Sequence, residues 1–386
     1  MKTKTLVSSI LCFASISFTA LAEFSPCSNK LIDFPVGEDP FFKQSLEELE
    51  KTVPLTYNEV VKKNLRIFTT SQKDRERFAR VLARSKYYFP IYEKIFKEKN
   101  VPDEIKYLSV VESSLNPHAL SHAGAAGPWQ FIWQIGKIYG LTINDSIDER
   151  KDPVLACKAA ANYLLDSYHM YGDWLVAIAS YNCGRNNIKW AMEKAGGGKD
   201  YWTLRQYLPI ETQNYVPAYI ATVYMMNNYR KHGIRPGEAD FNTNTDTITT
   251  IKTVTLKEIA RQGNFSLADL TVLNASYLHQ TVYASVSAPK TLVIPASVVP
   301  SYNSVARLVG APERKIPESF SVSAGSFAVA VQRRAKSYIT YRVQPGDSLA
   351  SISEKFKDLT IEEIVSANRL ADNSVLPGKL LKINQY

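Results

Sequence analysis

Glu112 is the residue on which chemistry could turn. Ile105, Leu108 and Val111 recur ahead of it at helical spacing, behind a Pro102-Asp103-Glu104 start that suits the first turn of a helix. Asn116-Pro117 stops that helix, so Glu112 lies near its C-terminus and faces the negative end of the helix dipole. Val110, Val111 and Trp129 supply apolar surroundings that disfavour the ionised form further. Both effects raise the carboxyl's pKa. A carboxyl still protonated near neutral pH can give its proton to the leaving oxygen of a glycosidic bond. Other catalytic signatures are absent: there is no G-x-S-x-G, no H-E-x-x-H, no phosphate loop and no dinucleotide glycine pattern. His118 and His122 are spaced like metal ligands, but Pro117 and Gly124 interrupt the helix they would need and no carboxylate joins them. No metal and no cofactor is expected.

Positioning such a group requires a helical frame. Between about residues 41 and 235 apolar residues recur with helical period, and Pro and Gly, including Pro90 and Pro217, punctuate them into many short helices with little sheet. A helix starts at Asp152-Pro153, with Asp152 as its cap, and buries Ala160, Tyr163 and Leu164 on one face. Further helices cover 174–180 and about 213–230. Trp129, Trp133 and Trp174 could stack on sugar rings, though core burial is the commoner fate of Trp. Glu211 reads as structural.

Beyond Pro236 the composition turns to Thr, Val and Ile in short alternating runs at 247–255 and 291–295. Between them Leu256-x-x-Ile259 and Leu267-x-x-Leu270-x-x-x-Asn274 mark two short helices. The arrangement recurs as Leu349-x-x-Ile352 and Ile361-x-x-Ile364-x-x-x-Asn368, flanked by Tyr341-Arg342-Val343 and a strand at 380–383. Two βααβ units follow from this repeat. The expected organisation is a leader at 1–22, an N-terminal helical extension at 23–90, a catalytic domain at 91–236, βααβ modules at 245–298 and 338–386, and a linker at 299–337.

The stretch Glu112-Ser113 through Ser121, Gly124-Ala125-Ala126-Gly127 and Gln130 resembles the catalytic core of the soluble-type lytic transglycosylases. Ala160-Ala161-Asn162-Tyr163-Leu164-Leu165, Ala179-Ser180-Tyr181-Asn182-Cys183-Gly184 and Glu211-Thr212-Gln213-Asn214-Tyr215-Val216 agree with it in order. Gln344-Pro345-Gly346-Asp347-Ser348-Leu349 through Asn368 resembles a LysM glycan-binding module, and 245–298 a divergent one. Together these features resemble the D type of membrane-bound lytic murein transglycosylases. The chain departs from that type at Ser25-Pro26-Cys27, which is no lipid-attachment site, and at Pro128-Trp129, where many relatives carry Leu-Met. The resemblance implies a mainly α chain, with a lysozyme-like helical catalytic domain followed by two small α+β LysM-type modules. It implies Glu112 as the sole catalytic residue, cleaving between N-acetylmuramic acid and N-acetylglucosamine without water to leave a 1,6-anhydro end. Ser121 would bond the acetamido group, Gln130 contact the sugar and Tyr181 orient Glu112. Asn182, Trp129 and Tyr215 would line the site, and Gly346, Asp347, Ser348 and Leu349 would serve the LysM groove, with Asp347 also a candidate N-cap. Two rivals share these features: a muramidase on the same fold, which would need a second carboxylate such as Asp145, Asp148, Asp173 or Glu211, and a silent peptidoglycan- or chitin-binding protein.

Composition bears on the partner. The chain has 386 residues, 46 Lys and Arg against 37 Asp and Glu, and 45% hydrophobic residues, which excludes wholesale disorder and a polytopic membrane protein. A basic, Tyr-rich chain suits an anionic polymer. Lys2 and Lys4 precede an uncharged stretch ending Ala20-Leu21-Ala22, which reads as a secretory leader cleaved after Ala22. Export to the periplasm or cell envelope makes nucleic acid an unsuitable partner and peptidoglycan strands a suitable one, with peripheral outer-membrane association open. Loss of Cys12 with the leader would leave Cys27, Cys157 and Cys183, of which Cys157 and Cys183 could form a disulfide or remain buried thiols.

Overall fold

A computed structural model describes residues 38–70, 72–315, 337–344, 346–356, 361–368, 370, 375 and 378–385. The leader, Cys12, Cys27 and most of the expected linker lie outside the described residues. The chain divides into two units, residues 1–314 and 315–386.

The first unit begins with helices α1 (Glu38–Leu49), α2 (Glu59–Thr70) and α3 (Gln72–Lys99), followed by the short α4 (Leu108–Ser113) and α5 (Trp133–Ile138). Then come α6 (Pro153–Tyr171), α7 (Trp174–Cys183), α8 (Arg185–Lys194), α9 (Tyr201–Leu204) and α10 (Ile210–Asn228). Helix α10 is buried on all sides, with Val216, Tyr219, Ile220, Val223 and Tyr224 all in the core. A helix without a polar face has to sit in the middle of a bundle. Phe42 and Leu46 of α1, Val61 and Leu65 of α2 and Tyr88, Tyr92 and Phe96 of α3 belong to the same core. The expected boundary at residue 90 therefore does not separate two cores. Pro90, read above as a break, lies inside α3, and Pro217 lies inside α10, the helix expected at about 213–230. An interior Pro costs a helix about 3 kcal/mol, and burial of the aromatic and aliphatic side chains around each outweighs that. Asp152 caps α6 as expected, accepting from the amides of Val154 and Leu155. Cys157 and Cys183 are buried free thiols, which settles the alternatives left open for that pair.

The module after residue 244 is built on β1 (Thr245–Thr250) and β4 (Lys290–Pro295), antiparallel with Thr245 opposite Pro295. Helices α11 (Leu256–Gly263) and α12 (Leu267–Leu273) lie between them in sequence, as predicted. Thr255 and Glu258 form a reciprocal capping box at the start of α11. The structure adds a short antiparallel pair, β2 (Val254–Thr255) with β3 (Thr281–Val282), and a helix α13 (Val299–Val309). Tyr302, Val305, Ala306 and Val309 of α13 pack with Ile248, Leu256, Ile259 and Leu292, so the expected linker starts as part of this module.

In the second unit β5 (Ser337–Arg342) pairs antiparallel with β6 (Leu380–Gln385), with α14 (Leu349–Lys355) and α15 (Ile361–Asn368) between them. One side-chain device is common to both modules. Asn274 Nδ2 donates to the carbonyls of Leu270 (3.0 Å) and Val293 (2.7 Å), and its Oδ1 accepts from Val293 N (2.9 Å). Asn368 Nδ2 donates to Ile364 O (2.9 Å) and Lys382 O (2.8 Å), and its Oδ1 accepts from Lys382 N (2.6 Å). Each Asn thus caps its helix and staples it to the last strand. Asn274 is 3% exposed, whereas Asn368 is half-buried. Asn274→Ala strands buried groups and should lower the stability of the first unit by about 1–3 kcal/mol in a urea titration. Asn368→Ala should cost its own module less, because water can replace the lost bonds.

Candidate active site

A short 3-10 turn, Asp103–Tyr107, feeds α4, whose inner face buries Leu108 and leaves Val111 half-buried. Ser114 and Leu115 both adopt positive φ (55° and 59°), ending the helix two residues before the expected stop. Glu112 is therefore in the last turn, beside carbonyls that lack helical partners. It is only 7% exposed, and the Tyr215 hydroxyl donates to its Oε1. Burial pushes the carboxyl up to about 8. The Tyr215 hydrogen bond opposes that rise, and the negative charge of Glu211 adds to it. Glu211 and Tyr215 are four residues apart near the start of α10 and so share a face. Burial raises the pKa of Glu211 too, while the Asn182 side chain, hydrogen-bonded to it, favours its ionised form. Thr212 Oγ1 donates to Asn182 Oδ1 (2.7 Å), tying the end of α7 to the start of α10.

The loop at 119–131 carries the other expected residues. Ser121 is half-buried, and its Oγ accepts from Ala125 N (3.0 Å). Gln130 adopts φ 48° and is buried, and its Nε2 donates to Gly127 O (2.9 Å) and Ala119 O (3.3 Å) across the loop. Ser109 and Ser113 of α4 both donate to Pro128 O (2.8 and 2.9 Å), which fastens the loop to the helix bearing Glu112.

Two expected residues stand elsewhere. Tyr181 donates to Trp129 O (2.8 Å), so its hydroxyl holds the loop, and the one that meets Glu112 is Tyr215's. Helix α10, buried at the centre, brings Tyr215 directly to the carboxyl. Trp129 is 0% exposed, packed between Tyr92 and Phe96, and cannot stack on a sugar. Trp133 remains half-exposed, with Lys137 over its ring. Sequence reasoning missed the pairing of Glu211 with Tyr215. Their four-residue spacing was visible, but α4 is brought to that face only by the fold.

In the second unit Ser348, not Asp347, is the N-cap of α14, accepting from Ser351 N. Asp347 instead accepts from Tyr341 Oη (2.6 Å), Gln344 N (2.8 Å) and Lys355 Nζ (2.9 Å), and these bonds hold its carboxyl down at about 2. Gly346 takes φ 92° in the turn before it, and Leu349 is a core residue.

The Glu112 carboxyl has a testable thermodynamic sign. Its folded pKa lies above the ordinary 4.5, so its contribution to stability is full below about pH 4.5 and is lost as pH rises through about 8. Glu112→Gln should therefore melt above the parent at about pH 9, with the gap shrinking towards about pH 5, in thermal denaturation across pH. Tyr215→Phe removes a bond that favours the ionised form. It should move the Glu112 titration to higher pH, as read by infrared difference spectroscopy of the carboxyl band.

Comparison with known proteins gives these features a family setting. Residues 89–203 match the transglycosylase SLT domain, residues 244–310 the LysM-like domain of lytic transglycosylase MltD, and residues 341–384 the LysM domain. The chain is 29% identical over 291 residues to membrane-bound lytic murein transglycosylase D of Escherichia coli (strain K12), covering 74% of this chain and 61% of that protein. The chain thus spans less than two thirds of the length of that relative. Among solved structures, the 70 kDa soluble lytic transglycosylase of Escherichia coli is 17% identical with a TM-score of 0.34, over 46% of this chain and 33% of that one. The lytic transglycosylase Slt of Pseudomonas aeruginosa, as an inactive mutant, is also 17% identical, with a TM-score of 0.31 over 38% and 25%. The chain carries, in order, a transglycosylase SLT domain, a LysM-like domain and a LysM domain.

Proposed function

We propose that this chain is a peptidoglycan lytic transglycosylase of the cell envelope, exported to the periplasm, with Glu112 as its catalytic acid and base. One observation carries the reading: inside an SLT domain, the buried Glu112 carboxyl is pushed up to about 8 and held by the Tyr215 hydroxyl. Protonated Glu112 gives its proton to the oxygen between N-acetylmuramic acid and N-acetylglucosamine, and the C1–O bond breaks. The muramyl 2-acetamido oxygen shares the positive charge at C1 as an oxazolinium-like species. Glu112, now a carboxylate, takes the proton of the 6-hydroxyl as O6 closes on C1. The anhydro ring forms, the acetamido group is released, the acid is restored and no water is consumed.

The surrounding residues have distinct parts in this reading. Ser121 Oγ already accepts from Ala125 N, which leaves its O–H to donate to the acetamido oxygen. Gln130 and Tyr181 hold the loop that presents Ser121, and Asn182 holds Glu211 beside the acid. Glu211 keeps negative charge near Glu112, which favours the protonated form at the start of the cycle and stabilises the cationic C1 later. The LysM domain supplies glycan affinity through the turn at Gly346 and Ser348. Its tether raises the effective concentration of the polymer at the site. Peripheral contact with the outer membrane accords with the name of the curated relative.

The neighbouring Glu211 carboxylate is the observation that would favour a hydrolase, since it could activate water. Digestion of purified sacculi by the full chain, with mass spectrometry of the soluble muropeptides, separates the two. The expected products are one water lighter than muramidase fragments, and Glu112→Gln should reduce their release by roughly a hundredfold or more. Reducing ends from the parent would establish hydrolysis, and no release would leave a binding protein.

A further inference from the structure

Arg150 lies outside the proton transfers, yet it is 7% exposed and its guanidinium is heavily engaged. Nε and Nη2 fork onto Asp148 Oδ1 (2.9 Å) and Oδ2 (2.8 Å), and Nη1 donates to Gly124 O (2.8 Å) and Phe131 O (3.1 Å). Gly124 follows Ser121 by three residues and Phe131 follows Gln130 directly, so one cation joins both sides of the loop that carries them. The main chain of Arg150 is equally close. At Gly127 a Cβ would stand 1.8 Å from Arg150 O, which leaves glycine alone able to pass there.

Asp148, which aims Arg150, is itself held by the LysM-like domain. Its amide donates to Ser276 O (2.8 Å), Leu278 N donates to Ser146 O (3.0 Å), and Ile147 and Tyr277 form an antiparallel bridge between them. Leu273 of α12 is buried in the core of the catalytic domain.

We infer that the LysM-like domain is a working part of the catalytic site, and that Arg150 is the positioning residue through which it holds the Ser121–Gln130 loop against Glu112. The inference rests on the reading of the site proposed above. The contact is made of main-chain bonds and a buried ion pair, which fix geometry. A Lys at 150 could reach one carbonyl but could not fork onto Asp148 and bridge both sides of the loop.

The full chain tests this with Arg150→Lys, Leu278→Pro, which removes the amide bonded to Ser146, and the double variant. Circular dichroism confirms folding, and Leu273→Ala takes the place of Leu278→Pro if that chain does not fold. Each single variant should lower kcat for release of anhydro-ended muropeptides by roughly 30- to 100-fold, the scale of a misplaced catalytic loop. KM on sacculi should stay within about threefold. The double variant should be no worse than about twofold below the poorer single one, since both break one chain of contacts. Hydrogen exchange at the amides of Ala125, Ala126 and Gln130 should be about tenfold faster in each. Folded variants with parental kcat, losses that multiply in the double variant, or unchanged exchange would overturn the inference. A parent that releases no anhydro ends sinks the proposed function alone, because the exchange measurement needs no activity.

Discussion

The arrangement of the first unit follows from keeping one carboxyl uncharged in water at ordinary pH. An ionised Glu112 would have to be desolvated among core side chains, at the end of a helix whose carbonyls already present negative charge. The protein stabilises the neutral form by burial, and among the described residues the polar contact its carboxyl keeps is the Tyr215 hydroxyl. That contact can serve both protonation states: it donates to a carboxyl oxygen either way and bonds more strongly to the anion. Glu211 works in the opposite direction on the same equilibrium. The protonation of Glu112 is thus a compromise, with burial and one nearby charge on one side and one hydrogen bond on the other.

Such a compromise requires rigid surroundings, and the loop at 119–131 shows how they are supplied. Its carbonyls are claimed one by one: Pro128 by Ser109 and Ser113, Trp129 by Tyr181, and Gly124 and Phe131 by Arg150. A loop without regular structure is thereby fixed as firmly as a strand. Its donors come from α4, from α7 and from the segment preceding α6.

The two LysM-type modules illustrate how one sequence device takes two settings. Asn274 and Asn368 make the same set of bonds, each capping the second helix of its module and stapling it to the final strand. The earlier module nevertheless adds α13 and the β2 and β3 pair, and it shares buried surface with the catalytic helices. The later one has a core of its own, built on Val343, Leu349, Ile352, Ile364, Leu381 and Ile383. A repeat in sequence therefore marked a shared fold, while the surfaces outside the repeat decided whether the module became part of a larger body.

The sequence by itself determined the place of Glu112 at the end of its helix, the helical period, the cap at Asp152 and the two βααβ patterns, because these depend on spacing along the chain. Whatever depends on which helix faces which was decided by tertiary structure alone. Tyr181 and Tyr215 both stand in recognisable motifs, but only the burial of α10 at the centre of the bundle puts the second against Glu112. Trp129 reads as a sugar platform until the core formed by Tyr92 and Phe96 closes over it. Pro90 reads as a break because local propensity disfavours it, and packing around the helix overrides that cost. Arg150 carried no signal at all, since its three partners, two loop carbonyls and the Asp148 carboxylate, come together only when the loop meets the segment before α6.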